Sequence, residues 1–342
     1  MDDLTAAVTQ AYPCVRSSSI RSVPVPHESC TCHVKLVSDD GAAFSLKERS
    51  WYMRAADWVI HLEFQEYLSS LDAPVPRLVR TLDGQLELTW SDRSFRLEHW
   101  VEGSHVYRYG ARVGHELGRS LAELHGCAKG FRTSQRDLDL RPFSRHRAYP
   151  NRKEDWRALL HRFRPPGDAG DSWRGEPTFQ RTEQRLEWLL SEIDFAALPR
   201  AFIHGDAHLY NVIRNSCGWT WIDLEDARLD IRLVDLVWLA LVSGFFDWKS
   251  VTQRMEIRTY PRWGFIKEAI TGYHEVCGIS RMECASLPLL LELYLLAAID
   301  NCLERQEIHA SYREFCRVLQ ALSFAADQIV SHSSMLRSLC QQ

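Results

Sequence analysis

The densest polar signal in the chain lies in Phe202-Ile203-His204-Gly205-Asp206-Ala207-His208-Leu209-Tyr210-Asn211-Val212-Ile213 and in Trp221-Ile222-Asp223-Leu224-Glu225-Asp226-Ala227. Apolar, strand-forming residues bracket both polar groups. Carboxylates and an amide therefore sit at strand ends or on a loop braced by a rigid core, where a reactive geometry can be fixed. Phosphoryl transfer asks for such a set: a carboxylate that orients a hydroxyl and accepts its proton, and oxygen ligands for a magnesium ion beside the phosphates. Asp206 with Asn211 five residues later has the spacing of a loop in which the Asp faces the acceptor and the Asn binds metal. Asp223, at the end of a β-like run, is placed to give the second metal oxygen, a donor type that Mg2+ prefers.

The elements that must hold these residues can be read from periodicity. Ser19 to Val25 and Cys32 to Val37 have strand character and predict a hairpin. After the turn Asp39-Asp40-Gly41, Ala43-Phe44-Ser45-Leu46-Lys47 alternates as a third strand. A helix follows, roughly Trp51 to Leu71, ended by Asp72-Ala73-Pro74-Val75-Pro76. Leu86 to Trp90 and Ser94 to Trp100 predict two more strands. From Gly110 the character changes: Val113, Leu117, Leu121 and Leu124 mark one buried helix face. The remainder reads as mainly helical, apart from a Pro/Gly-rich loop at 164–177 and short β signals between 203 and 223. The pattern is α+β, with a small antiparallel sheet carrying one helix over residues 1–100 and a helical part over 101–342.

Composition narrows the function classes. The chain has 342 residues, 45% hydrophobic and 25% charged, as in an ordinary globular enzyme. A net charge of −4 gives no basic field for nucleic acid. The apolar runs Leu233 to Phe246 and Leu287 to Ile299 are too short to span a bilayer, so no membrane role is expected. Met1-Asp2-Asp3-Leu4 lacks the plan of a secretory signal, and ten cysteines lie scattered without paired Cys-x-x-Cys spacing. A cytoplasmic protein with free thiols is expected. Oligomeric state leaves no trace in the sequence.

With these residues in view, the segment 202–236 resembles the aminoglycoside phosphotransferase and choline kinase superfamily, whose catalytic segment reads His-Gly-Asp-x-His-x-x-Asn, then Ile-Asp-x-x-Asp/Glu-Ala, then Asp-Leu. Asp235-Leu236 fits the last element. Leu117 to His125, Pro74-Val75-Pro76 and Leu97 to Gly103 extend the resemblance over most of the chain. It implies a two-lobed, protein-kinase-like fold that transfers the γ-phosphoryl group of ATP or GTP with Mg2+. It further implies that Lys47 contacts the α/β-phosphates, that backbone groups of His99, Trp100 and Val101 contact adenine, and that an acidic residue of the first helix, Glu63 in preference to Glu66, pairs with Lys47. The sequence departs from the pattern at Val25 to Cys32, where the loop expected over the phosphates holds no glycine.

Blander readings stand beside these. His204-x-Asp206-x-His208 has the alternation of a zinc or iron site, yet no third anchor follows, and both histidines read as loop supports. Asp235 reads as a buried acceptor for loop amides. Asp226 is a candidate neighbour of the metal ligands or a helix cap. Arg141, Arg145, His146, Arg147, Arg152 and Lys153 form a basic run, and Asp300 and Glu304 a carboxylate pair, either of which suits a substrate or a solvated surface. The expected partner is a small hydroxyl-bearing acceptor: antibiotic, amino alcohol, sugar or natural-product intermediate. A protein Ser or Thr acceptor and a non-catalytic nucleotide-binding regulator are the alternatives.

Overall fold

A computed structural model describes residues 2–15, 21–24, 32–38, 40–50, 53, 55–106, 109–133, 177–249, 254–258, 260–305 and 312–339. In chain order the elements are α1 (Asp2–Ala11), β1 (Arg21–Pro24), β2 (His33–Val37), β3 (Ala43–Glu48), α2 (Ala55–Ser70), β4 (Leu78–Val79), β5 (Leu88–Trp90), β6 (Arg93–His99), α3 (Ala111–Ala128), α4 (Pro177–Glu192), β7 (Arg200–Ile203), β8 (Val212–Asn215), β9 (Gly218–Trp221), β10 (Arg228–Ile231), α5 (Leu233–Phe245), β11 (Phe246–Lys249), β12 (Arg254–Ile257), α6 (Trp263–Cys277), α7 (Arg281–Arg305) and α8 (Tyr312–Ser338). They form two compact units. The first comprises Met1–Val106, Cys127–Asp139 and Tyr210–Arg228; the second comprises Tyr107–Gly126, Leu140–Leu209 and Leu229–Gln342. The stretch 1–100 falls inside the first unit, to which folding adds two later segments.

The first unit is built on an antiparallel sheet in the order β1-β2-β3-β6-β4, with β5 also paired to β6. The β5–β6 turn puts Ser91 and Asp92 at φ 48° and 61°, the left-handed pair of a two-residue hairpin turn. Alternation along β3 and β6 divides the sheet cleanly. Phe44, Leu46, Phe95 and Leu97 meet Leu4, Val8 and Tyr12 of α1 and its exit in one core. Sequence periodicity had not suggested α1, so two helices, not one, serve this sheet. The other face carries Ser45, Lys47, Arg96 and Glu98, all buried, with Lys47 opposite Arg96 and Ser45 opposite Glu98. Helix α2 supplies partners to that face: Gln65 Nε2 donates to Glu98 at 2.8 Å, and His61 Nε2 lies 2.5 Å from Arg96 Nη1. Trp58 of α2 is fully buried, with the Arg96 guanidinium 5.3 Å from its ring.

The second unit is organised around α5, which is buried along its whole length. An all-round apolar helix of this kind belongs in a core, and α5 packs on α6 and α7, while α7 packs on α8. The hairpin β11–β12 lies in a region that periodicity had read as mainly helical. Helices α3 and α6 meet backbone to backbone. A Cβ on Gly118 would lie 2.0 Å from the Ala269 carbonyl oxygen, and one on Gly272 would lie 2.2 Å from that of His115. Among the described residues, no helix is long and apolar enough to cross a membrane.

This crossing makes a paired prediction. Gly118→Ala forces α3 and α6 apart and costs about 1–3 kcal/mol. Gly126→Ala, on the same helix with nothing within 4 Å, is neutral or stabilises by roughly 0.4–1 kcal/mol through the unfolded chain. Urea unfolding of the two variants measures the difference.

Candidate active site

The first unit gathers the residues expected to handle phosphate and metal. Lys47, at the end of β3, is buried, and its Nζ lies 2.5 Å from Asp223 Oδ1 and 3.1 Å from Glu225 Oε2. Burial works against the ammonium, but the two carboxylates outweigh it and hold the Lys47 pKa above the ordinary lysine value. Glu225 is fixed in turn by Ser50, whose Oγ donates to Oε2 at 3.0 Å. Asp223 itself adopts the left-handed conformation, φ 63° and ψ 54°, one that few residue types other than glycine, Asn and Asp accept. Residues Leu224–Asp226 then form a 3-10 turn in which Asp226 is also buried.

Asn211 is brought beside this turn by a hairpin. Strands β8 and β9 pair with Val212 opposite Trp221, and the Ile222 amide donates to the Asn211 carbonyl at 3.0 Å. Asn211 and Asp223 thus leave the same end of the hairpin. Their donors are amide and carboxylate oxygens, the hard set that suits Mg2+. Among the described residues, no group of three or more His, Cys, Asp or Glu is arranged to hold a metal. His204, fully buried, accepts the Asp206 amide on Nδ1 at 3.2 Å, which is the loop-supporting role.

The Lys47 partner expected on α2 is corrected by the structure. Glu63 accepts from Thr133 Oγ1 at 2.7 Å, and Glu66 pairs with Arg80 at 3.0 Å. Helical phase is the reason: the residues of α2 turned to the sheet are His61 and Gln65, and Glu63 stands two residues, about 200° of helix rotation, from His61. His61 Nδ1 lies 2.5 Å from the Leu224 carbonyl, so that nitrogen donates and Nε2 accepts from Arg96. Burial and the Arg96 charge drive the His61 pKa well below its ordinary value, leaving the ring neutral. His61 and Arg96 escaped the sequence reading because alternation in β6 was visible while the burial of both sheet faces was not.

At the far end of β6, the His99 amide donates to Arg77 and the Trp100 amide to Ala43, each at 2.9 Å. Those two donors are committed to the fold, and Val101 follows them. The Lys35 ammonium covers the Trp100 ring at 4.3 Å and pairs with Glu102 at 3.3 Å. Residues Val25 to Thr31, 164–176 and the basic residues Arg141 to Lys153 lie outside the described residues, and Asp300 and Glu304 are described only as backbone of α7.

The second unit holds Asp206. Its loop is splinted by α5. Asp235 accepts the His204 amide at 2.7 Å and the Gly205 amide at 2.8 Å, with His125 Nε2 at 2.9 Å. Burial raises the Asp235 pKa, but the His125 contact and the amides overcome it and leave the carboxyl below its ordinary value. Ser243 Oγ accepts the Leu209 amide at 3.2 Å, and Trp238 Nε1 donates to Asp206 Oδ1 at 2.7 Å. Trp238 was not singled out in the sequence, although its spacing of three from Asp235 on a helix carried the signal.

Residues 36–276, more than half the chain, match the phosphotransferase enzyme family. The chain belongs to this family. It is accordingly a kinase, with the α+β, protein-kinase-like fold expected for the aminoglycoside phosphotransferase and choline kinase group. A homoserine kinase from Hyphomonas neptunium is 27% identical over 241 residues, 70% of this chain and 67% of that protein. An amicoumacin kinase solved with AMP-PNP and Ca2+ superposes with a TM-score of 0.67 at 13% identity, covering 96% of this chain and 93% of that one. An aminoglycoside phosphotransferase from Alicyclobacillus acidocaldarius gives 0.65 at 18% identity, covering 98% and 96%.

Two pH-dependent outcomes follow from the buried groups. The depressed Asp235 pKa contributes stability that is present above the unfolded carboxylate value of about 4 and lost as pH falls. Asp235→Asn, which sets an amide donor against backbone donors, loses about 3–5 kcal/mol at pH 7 and flattens the acid branch of the stability profile. His61 is held neutral, so its contribution declines as pH falls below about 6.5, where the unfolded chain takes the proton. His61→Gln removes that slope between about pH 6.5 and 5, read by urea unfolding at stepped pH.

Proposed function

We propose that this kinase transfers the γ-phosphoryl group of ATP, or GTP, to a hydroxyl of a small molecule, with a sheet-bearing nucleotide lobe of about residues 1–100 and a helical acceptor lobe over 101–342. The observation that carries the reading is the buried Lys47 ammonium on Asp223, beside a hairpin that presents Asn211. Lys47 steadies the α/β-phosphates, and backbone groups of the strap from His99 through Trp100 to Val101 meet the base. Asn211 and Asp223 would hold Mg2+, which would neutralise charge on the phosphates. Glu225, tied to Ser50, keeps Lys47 aligned while Asp223 serves the cation, the task expected of the α2 carboxylate.

Asp206 orients the acceptor hydroxyl and takes its proton as the acceptor oxygen bonds to the γ-phosphorus; the bond from that phosphorus to the leaving diphosphate oxygen breaks, and the nucleoside diphosphate departs. Positioning and electrostatics supply nearly all the catalysis in such a reaction. The similarity to a homoserine kinase favours a small amino-acid or amino-alcohol hydroxyl at the head of the acceptor panel. A cytoplasmic location fits this substrate class.

The test is ADP or GDP release with Mg2+ and ATP or GTP against homoserine, amino alcohols, aminoglycosides and sugars. Acceptor-stimulated release is expected, abolished by Asp206→Ala and by removal of Mg2+ with EDTA. Nucleotide binding without release for any small acceptor would overturn the small-molecule reading. Retention of full release by Asp206→Ala would overturn its assignment as base.

A further inference from the structure

Asp206 is held at two levels, and only one of them is its backbone. Asp235 fixes the amides of His204 and Gly205, which sets where the loop runs. It does not set the rotation of the Asp206 carboxylate, whose terminal torsion is broad and two-fold. A base whose two oxygens exchange freely presents the acceptor with a moving target, and misplacement of a reacting group by an ångström costs rate heavily.

Trp238 acts at that second level. It lies on α5, three residues beyond Asp235 and so on the same helix face, and its Nε1 donates to Asp206 Oδ1 at 2.7 Å. The indole is 5% exposed and is braced by Tyr294 of α7, edge to face at 6.5 Å between centroids. His208 Nε2 stands 3.4 Å from the other oxygen, Oδ2. An indole N–H is a donor only and does not titrate, so it neither takes the proton from Asp206 nor releases the oxygen it holds.

We infer that Trp238 is a positioning residue for the transfer: by occupying Oδ1 it locks the carboxylate rotation and assigns proton acceptance to Oδ2. The same bond favours the ionised carboxylate, because a donor to a carboxylate stabilises its charged form. The inference rests on the proposed role of Asp206, but the bond it names is measurable without any turnover.

The experiment uses the full chain with 15N-labelled tryptophan. The indole resonance of Trp238 is assigned by its disappearance in Trp238→Phe, whose fold is checked by the persistence of the other indole resonances. The expected result is a Trp238 resonance that titrates with pH in the wild type and ceases to titrate in Asp206→Asn. A resonance that behaves identically in both proteins overturns the inference, whatever the fate of the kinase reading. With the best acceptor from the screen, or with water as acceptor where none stimulates, Trp238→Phe is expected to lower kcat at least tenfold with an unchanged KM for ATP. The acid limb of its pH-rate profile moves to higher pH. A Trp238→Phe enzyme with wild-type kcat and an unmoved acid limb would show the indole to be packing alone.

Discussion

A cation buried in a sheet is tolerable only with carboxylates against it, and the first unit is arranged around meeting that condition at Lys47. The inner face of β3 and β6 carries Lys47, Arg96 and Glu98 where a sheet would ordinarily carry aliphatic residues. Every element laid on this face brings polar partners. The turn after β9 brings Asp223 and Glu225, and α2 brings His61 and Gln65. The larger apolar core lies on the opposite face, where α1 closes it, while Met53, Trp58, Leu62 and Leu78 form a smaller cluster about α2. One face thus carries the larger apolar core and the other holds charge in fixed places, a division written into the two-residue period of the strands.

The second unit solves a different problem, holding an irregular loop in one conformation. Loop amides need acceptors when they are buried. Asp235 meets two of them and is itself steadied by His125, whose other ring nitrogen lies 2.8 Å from the Tyr273 hydroxyl. Because α5 is buried on every side, the splint cannot shift without disturbing the helices packed on it. The loop that carries Asp206 therefore takes its rigidity from a helix buried along its whole length.

Much of this was legible in the sequence because local rules and global fold agree where chemistry is dense. The polar segment at 202–227 was visible from residue types and spacing, and Lys47 from its strand and the family resemblance. Strands β2, β3, β5, β6, β8 and β9 followed from alternation and turn residues. What was not legible depends on phase and depth. Glu63 looked suitable as a residue type, and only the rotation of α2 turns it toward Thr133. Arg96 carried no flag in an alternating strand, since alternation does not say that both faces are covered. The helix α1 lacked a flag because its tie to the sheet is made by Leu4, Val8 and Tyr12, side chains spaced for a helix but too few to stand out.

Asp223 shows how tightly a single position can be constrained. Its left-handed backbone narrows the choice to residues such as glycine, Asn and Asp. Its contact with Lys47 narrows the choice to a carboxylate. Glutamate keeps the charge but not the ease of conformation, and glycine keeps the conformation but not the charge. The lysine's second carboxylate, Glu225, lies in the following 3-10 turn under no such backbone constraint, while position 223 has almost nowhere to go.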